Sequence, residues 1–334
     1  MAQASLSRPA PDGVHPGPPV SSSPPLKRLK RLLRYGLVRL ALALVRPLPL
    51  SLARPLGLWL GAVAYRLAGG ERRKALASLA RAFPEAAQAE RERLARACFG
   101  HLGRALFEAA CVDAADRHLA QLVRWEPADR AVLDGALARG RGVVFVSGHV
   151  GNWELLARRV ARAGYPSQSI AKETSDPRLT GLVERFRARG GVRSIWRGHE
   201  GAAKQMLRAL KAGEILGLLI DQDTRAQNLF VPFFGLPAAT PRAAADLALR
   251  TGAAVVVGFC QREGGPVGRE PGYRLRMEEV AVPQAGPDAA AREAAALALT
   301  AALSARIEAA IRRAPEQWVW MHQRWKTRPR GGAG

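Results

Sequence analysis

The chain of 334 residues carries 51 Lys+Arg against 28 Asp+Glu, a formal net charge of +23, and 48% hydrophobic residues, enough to bury the core of one large α/β domain or two small ones. Such a surface seeks anions, whether nucleic acid, lipid headgroups or an acidic protein. No RRM, zinc-finger or homeodomain pattern is present, which argues against nucleic acid, and Cys98, Cys111 and Cys260 are odd in number and lack metal-ligand spacing, which points to reduced thiols.

In chain order, residues 1–26 are rich in Pro, Ser and Gly and are expected to form a disordered tail. No secretory apolar core follows the start. Lys27-Arg28-Leu29-Lys30-Arg31-Leu32-Leu33-Arg34 is a basic cluster, and an apolar region runs from Tyr35 to Ala68. It is interrupted by Arg39, Arg46, Arg54 and Arg66 and by Pro47, Pro49 and Pro55, so its longest uncharged run, Pro55 to Tyr65, falls well short of the ~20 residues that span a bilayer. Basic residues interleaved with leucines suit helices lying in the membrane interface; a helix pair packed on the domain would carry the same pattern. Residues 27–70 are therefore expected to form a basic, apolar membrane anchor and 71–330 an α/β domain.

Residues 71–120 read as helices. Strand-like runs follow at Val143–Ser147, Ser167–Ala171, Val192–Trp196, Ile215–Ile220 and Ala254–Cys260, alternating with helical patterns over 153–163, 177–189, 199–212 and 241–251. Thr240-Pro241 is expected to start the last of these and Gly252 to stop it. An alanine-rich helix follows over 288–313. The alternation predicts a mostly parallel sheet flanked by helices.

The first apolar strand runs into Ser147-Gly148-His149-Val150-Gly151-Asn152-Trp153-Glu154. This places a histidine at a strand end, where open α/β sheets carry their sites, with a carboxylate five residues later. A catalytic histidine needs a partner for its second ring nitrogen, and Glu154 is the expected partner. Asp221-Gln222-Asp223-Thr224-Arg225 follows another strand, at the same sheet edge if the strands are parallel; its carboxylates could orient a substrate or an arginine, or form an ordinary polar loop. Arg197 ends the Val192–Trp196 strand and suits an anionic headgroup or solvent. Val231-Pro232-Phe233-Phe234-Gly235 could wall an acyl pocket or be core. Trp318, His322 and Trp325 share one helical face, suiting a membrane interface, a lid or structural packing.

Together these residues resemble the lipid A biosynthesis acyltransferases of the lauroyl/myristoyl type. The resemblance rests on Gly148-His149-x-Gly151-Asn152-Trp153-Glu154, Asp221-Gln222-Asp223, Val231-Pro232-Phe233-Phe234-Gly235 and Pro315-Glu316-Gln317-Trp318-x-Trp320-x-His322-x-Arg324-Trp325-Lys326, in order over about residues 35–329. The wider glycerolipid acyltransferases share His-x4-acid. Their Gly-x-x-Phe-Ile-x-Arg block is similar to Gly191–Arg197 with Ser194 in place of the phenylalanine, and their Pro-Glu-Gly-Thr-Arg block shares Thr224 and Arg225. The resemblance implies an α/β acyltransferase fold with an N-terminal membrane-associated region on the cytoplasmic face of the inner membrane. It implies transfer of an acyl chain from acyl carrier protein to a hydroxyl of a phosphorylated glycolipid, the lipid A precursor, with no metal or other cofactor. His149 would be the base, Glu154 its orienter, and the amides at Gly151-Asn152 the oxyanion site; Asn152, Arg197, Asp221, Asp223 and Arg225 would meet substrate. The alternatives are another glycolipid acceptor, a thioesterase, or a non-catalytic basic membrane-binding protein.

Overall fold

A computed structural model of the protein describes residues 25–111, 116, 118–263, 272–284 and 286–329. Most of the expected tail, residues 1–24, lies outside them, and the first helix already begins at Pro25. Helices α1 (Pro25–Val45), α2 (Leu50–Leu67), α3 (Gly69–Ala82) and α4 (Gln88–Ala110) precede the sheet. Pro47 and Pro49 separate α1 from α2 because proline cannot continue a helix. A short helix α5 (Leu119–Leu122) then leads into β1 (Val123–Trp125) and α6 (Pro127–Leu137).

From there strands and helices alternate as the periodicity predicts: β2 (Val143–Ser147), α7 (Trp153–Arg162), β3 (Ser167–Ala171), α8 (Pro177–Arg189), β4 (Val192–Trp196), α9 (Ala202–Lys211) and β5 (Ile215–Leu219). A β6 (Asn228–Phe233)–β7 (Leu236–Pro241) hairpin, α10 (Ala243–Thr251), β8 (Ala254–Gln261), β9 (Tyr273–Val280) and α11 (Ala289–Arg313) complete the chain, with a last single turn at Pro315–Gln317. The main sheet has the order β1-β9-β8-β2-β5-β3-β4. β8, β2, β5, β3 and β4 run parallel, and β9 is antiparallel to β8. β2 is buried along its whole length, as a central parallel strand covered on both faces requires.

Thr240-Pro241 does not start a helix. Pro241 ends β7, and Thr240 is buried, donating to the Ala238 carbonyl and accepting from Arg324; α10 begins two residues later and stops at Gly252, φ +67°. The described residues contain one helix long and apolar enough to cross a membrane, Ala289–Arg313, and half of that stretch is buried as a core helix. α1 and α2 do not meet that criterion. They expose Leu29, Leu33, Leu37, Leu40, Leu44 and Trp59.

α2 lies against α4 at the closest spacing backbones allow. A Cβ on Gly57 would stand 2.6 Å from the Gly103 carbonyl oxygen, and one on Gly61 would collide with the Phe99 carbonyl. α4 in turn reaches the turn after β2. His101 Nε2 donates to the Gly151 carbonyl (3.1 Å), and the Ala105 carbonyl accepts from Asn152 Nδ2 (3.2 Å). Below them the fully buried Glu108 carboxylate accepts from Arg54 of α2 (2.6 Å), from Arg262 (2.7 Å) and from Tyr273 (2.6 Å).

Two outcomes follow from this layer. Gly61→Val should destabilise the fold by about 1–3 kcal/mol through overpacking, whereas Gly36→Ala, with nothing within 4 Å in the exposed interior of α1, should not destabilise it and should add up to about 1 kcal/mol; denaturant unfolding of both variants measures this. Burial pushes the His101 pKa down to about 4, with the Gly151 carbonyl opposing the shift. As pH falls from about 6.5 to about 4 the unfolded chain binds a proton that the fold refuses, a loss of up to about 3 kcal/mol. Burial also lowers His322 and adds in the same direction. His101→Gln should therefore flatten, without abolishing, the decline in stability between pH 6.5 and 4; an unchanged slope would remove His101 from that role.

Candidate active site

The turn between β2 and α7 is fixed from three sides. Gly151 has φ +67°, and a Cβ there would overlap the Cys260 carbonyl oxygen, so the position requires glycine. Its N–H donates to Gln317 O (2.8 Å), and the Asn152 N–H donates to Cys260 O (2.9 Å). These two amides, expected to form an oxyanion site, are thus spent inside the fold. The Asn152 side chain is buried, caps α7 through the Leu155 N–H (3.1 Å) and ties the turn to α4. Every bond it makes is structural.

His149 sits at the exposed side of this turn. Its Nδ1 is 2.8 Å from Asp221 Oδ1, and its backbone N–H donates to Asp221 Oδ2 at 2.7 Å. Trp318 Nε1 donates to the same Oδ2 at 2.7 Å. With Nδ1–H given to the carboxylate, Nε2 is left as the basic nitrogen; it has no partner among the described residues, and the ring is 22% exposed, edge-on to Trp153 at 4.9 Å. Burial of Asp221 works against its ionisation. The charge and hydrogen bonds of His149 and the Trp318 indole outweigh that, holding the pKa at about 2. The carboxylate is therefore ionised at any neutral pH.

The partner of the ring is Asp221, not Glu154 as the spacing suggests. Glu154 falls in the first turn of α7 and turns to α8, where Arg187 grips it with Nη2 at 2.5 Å and Nε at 3.1 Å. Asp221 reaches the histidine because β5 pairs with β2, Ser147 opposite Leu219, so the residues just beyond the two strand ends meet. Asp223, the other carboxylate of that loop, is taken by the C-terminal segment. Its oxygens accept from Thr327 N–H (2.7 Å) and Thr327 Oγ1 (3.0 Å), and its N–H donates to His322 Nε2 (2.8 Å). Arg197 lies at the end of β4 with Nη1 3.3 Å from Thr224 Oγ1, while Arg225 is exposed and makes no such bond. Neither meets a carboxylate among the described residues.

The stretch 318–329 is not a helix. Trp318 is extended (φ −114°, ψ 154°) and bridges to Val150, so the shared helical face of Trp318, His322 and Trp325 does not exist. Trp318, Trp320 and Trp325 are buried, packed with Phe233 and Phe234 at ring-centroid distances of 5.6 Å (Phe233–Trp318), 5.9 Å (Phe233–Trp325) and 5.9 Å (Phe234–Trp320). Both phenylalanines are core, and the tryptophans do not face a membrane. Trp318 as a donor to Asp221, Arg187 as the partner of Glu154, and His101 are the contributors that the sequence did not single out for these roles; Trp318 alone carried a visible signal, its place in the aromatic C-terminal run.

Beside Trp153 lies a small, mostly apolar cleft of about 60 Å³, walled by Phe145, Trp153, Leu156, Ile170 and Leu219 and containing the Glu154–Arg187 pair. Arg187 Nη1 is buried there without a hydrogen-bond partner. A larger cleft of about 550 Å³ between β9 and α11 includes none of these residues. Among the described residues no group of three or more His, Cys, Asp or Glu side chains is arranged to hold a metal ion.

The chain resembles known enzymes along most of its length. It is 29% identical over 304 residues to the lipid A biosynthesis lauroyltransferase of Escherichia coli K12, covering 89% of this chain and 94% of that protein. It is 31% identical over 268 residues to the lipid A biosynthesis palmitoleoyltransferase of the same organism, covering 78% and 81%. A phosphatidylinositol mannoside acyltransferase of Mycobacterium tuberculosis matches over 134 residues at 28% identity, 40% of this chain and 42% of that one. Residues 24–327 match the bacterial lipid A biosynthesis acyltransferase family, and the chain belongs to it.

Proposed function

We propose that this acyltransferase moves a fatty acyl group from acyl carrier protein to a hydroxyl of a phosphorylated lipid A precursor, with His149 as general base. The observation that carries the mechanism is the 2.8 Å bond from His149 Nδ1 to a buried, ionised Asp221, which leaves Nε2 open. Nε2 takes the proton of the acceptor hydroxyl, the oxygen attacks the thioester carbonyl, and Asp221 stabilises the imidazolium that forms. Collapse of the tetrahedral intermediate breaks the C–S bond, and the imidazolium returns the proton to the leaving thiolate. The amides of Gly151 and Asn152 being occupied, the first N–H groups of α7, at Trp153 and Glu154, suit the oxyanion; helix geometry leaves them without acceptors. The small apolar cleft beside Trp153 suits the first methylenes of the acyl chain. Arg197 and Arg225, free of carboxylates at the strand ends, suit the acceptor's phosphates.

α1 and α2 support a place on the cytoplasmic face of the inner membrane. Their exposed leucines and Trp59, with Arg28, Lys30, Arg31 and Arg34, suit an anionic interface. Because α2 is locked into α4, the two helices do not form one removable anchor. Deletion of residues 1–44 should release the protein from membranes while sparing transfer to detergent-dispersed acceptor. Deletion through residue 68 should unfold it, since it strips the glycine-packed face of α4. Fractionation and far-UV circular dichroism distinguish the two, and a folded, active 1–68 deletion would overturn this division.

In acyl transfer with purified carrier protein and acceptor, His149→Ala should lower kcat by ~10²–10⁴-fold. Asp221→Asn should also lower kcat, by at least about tenfold, with KM for the acceptor little changed. Near-normal transfer by His149→Ala would end the general-base assignment. Release of fatty acid at full rate without acceptor would favour a thioesterase.

A further inference from the structure

A second cleft, of about 100 Å³, opens between α1, α4 and α8, away from the histidine. Leu182, Arg185, Phe186 and Arg189 of α8 line it at i, i+3, i+4 and i+7, one face of that helix; Leu42 of α1, Arg46 just beyond α1 and Ala110 of α4 close the other walls, and Arg46 is already engaged. The floor is apolar and the rim cationic. Among the described residues no carboxylate lines it: Glu184, the one acidic residue of α8, is not part of it, and Asp116 is held by Arg158 and Arg162. Arg185 and Arg189 are exposed and form no ion pair among the described residues. Two uncompensated guanidinium groups beside a leucine- and phenylalanine-lined slot match an amphiphile with an anionic head.

The place of the cleft says where such a molecule would come from. α1 carries Leu37, Leu40 and Leu44 exposed next to Leu42, so the slot adjoins the apolar stripe offered to a bilayer. α1 is otherwise tied to the α/β domain through Arg178, stacked on Tyr35 at 5.3 Å, and joins a small core through Val45 with Ala53 and Cys111. We propose that this cleft binds the phosphodiester head and first methylenes of one anionic phospholipid, with Arg185 and Arg189 on the phosphate and Leu42, Leu182 and Phe186 on the chain, so that a membrane lipid pins α1 to α8. The inference does not rest on the acyl-transfer mechanism.

The test uses the full-length protein in mild detergent and short-chain lipids below their micelle concentration, so that the basic cluster of α1 meets no charged surface. Dihexanoyl-phosphatidylglycerol should raise Tm and bind saturably; dihexanoyl-phosphatidylcholine and inorganic phosphate should do neither. Arg185→Ala/Arg189→Ala should weaken binding at least about tenfold, the loss expected on removing two charge-assisted hydrogen bonds. Lys30→Ala/Arg31→Ala should bind as the parent does. Leu42→Glu, which sets a carboxylate in the slot, should abolish binding and checks the site independently. Transfer to detergent-dispersed acceptor should be unaffected in the Arg185/Arg189 variant. Unweakened phosphatidylglycerol binding by that variant, or equal shifts from phosphatidylcholine or from phosphate alone, would overturn the proposal.

Discussion

The carboxylate of Asp221 is the point on which the rest of the site converges. It lies fully buried at the end of β5 and collects three donors, the His149 ring, the His149 backbone and the Trp318 indole. A buried carboxylate without partners would sooner neutralise than stay charged. With three it remains an anion, and that anion fixes the imidazole tautomer, the path of the turn and the course of the C-terminal segment together. Loss of any donor would raise the Asp221 pKa, because burial already opposes its ionisation.

A second buried carboxylate does the same for the outer layer. Glu108 draws Arg54 from α2, Arg262 from the end of β8 and Tyr273 from β9 into one cluster. Such clusters add little net stability against an apolar core of equal volume, but they penalise any arrangement that breaks them. Glu108 thus sets the register in which α2 and α4 meet the sheet, and the glycines at 57, 61 and 103 let the two helices close to backbone contact. Through His101 and Asn152 that register reaches the turn that carries His149.

The parallel strands β2, β3, β4, β5 and β8 were legible within about a residue, because buried parallel strands read as short apolar runs between breakers. β9 was missed because it is not a continuous apolar run, although Tyr273, Leu275 and Met277 alternate with Arg274 and Arg276 in the period-2 pattern of a half-buried strand; the β6–β7 hairpin carries Pro232, Pro237 and Pro241 and so reads as loop. Of the site, His149 and the loop carboxylates at 221 and 223 could be picked out by their positions after strands. Their pairing could not. His149 and Asp221 are 72 residues apart, joined only by the adjacency of β2 and β5, whereas Glu154 is near in sequence and yet, once α7 begins, aimed at Arg187. Sequence spacing measures distance along a regular element, and between His149 and Glu154 the chain passes through a left-handed glycine into a helix.

The same constraint bears on how substrate must bind. Gly151 is jammed against the Cys260 carbonyl on one side and held by Gln317 and His101 on the others, so the turn carrying His149 has no slack with which to follow a ligand. Cationic groups lie instead at the neighbouring strand ends, where Lys172 after β3, Arg197 after β4 and Arg225 beyond β5 meet no carboxylate among the described residues, and Lys172 and Arg225 are exposed. Under the proposed mechanism, a rigid base beside exposed cations would let the acceptor be drawn in by its charge and settle until a hydroxyl meets Nε2. Discrimination among acceptors would then rest on the distance between phosphate and hydroxyl rather than on movement of the base.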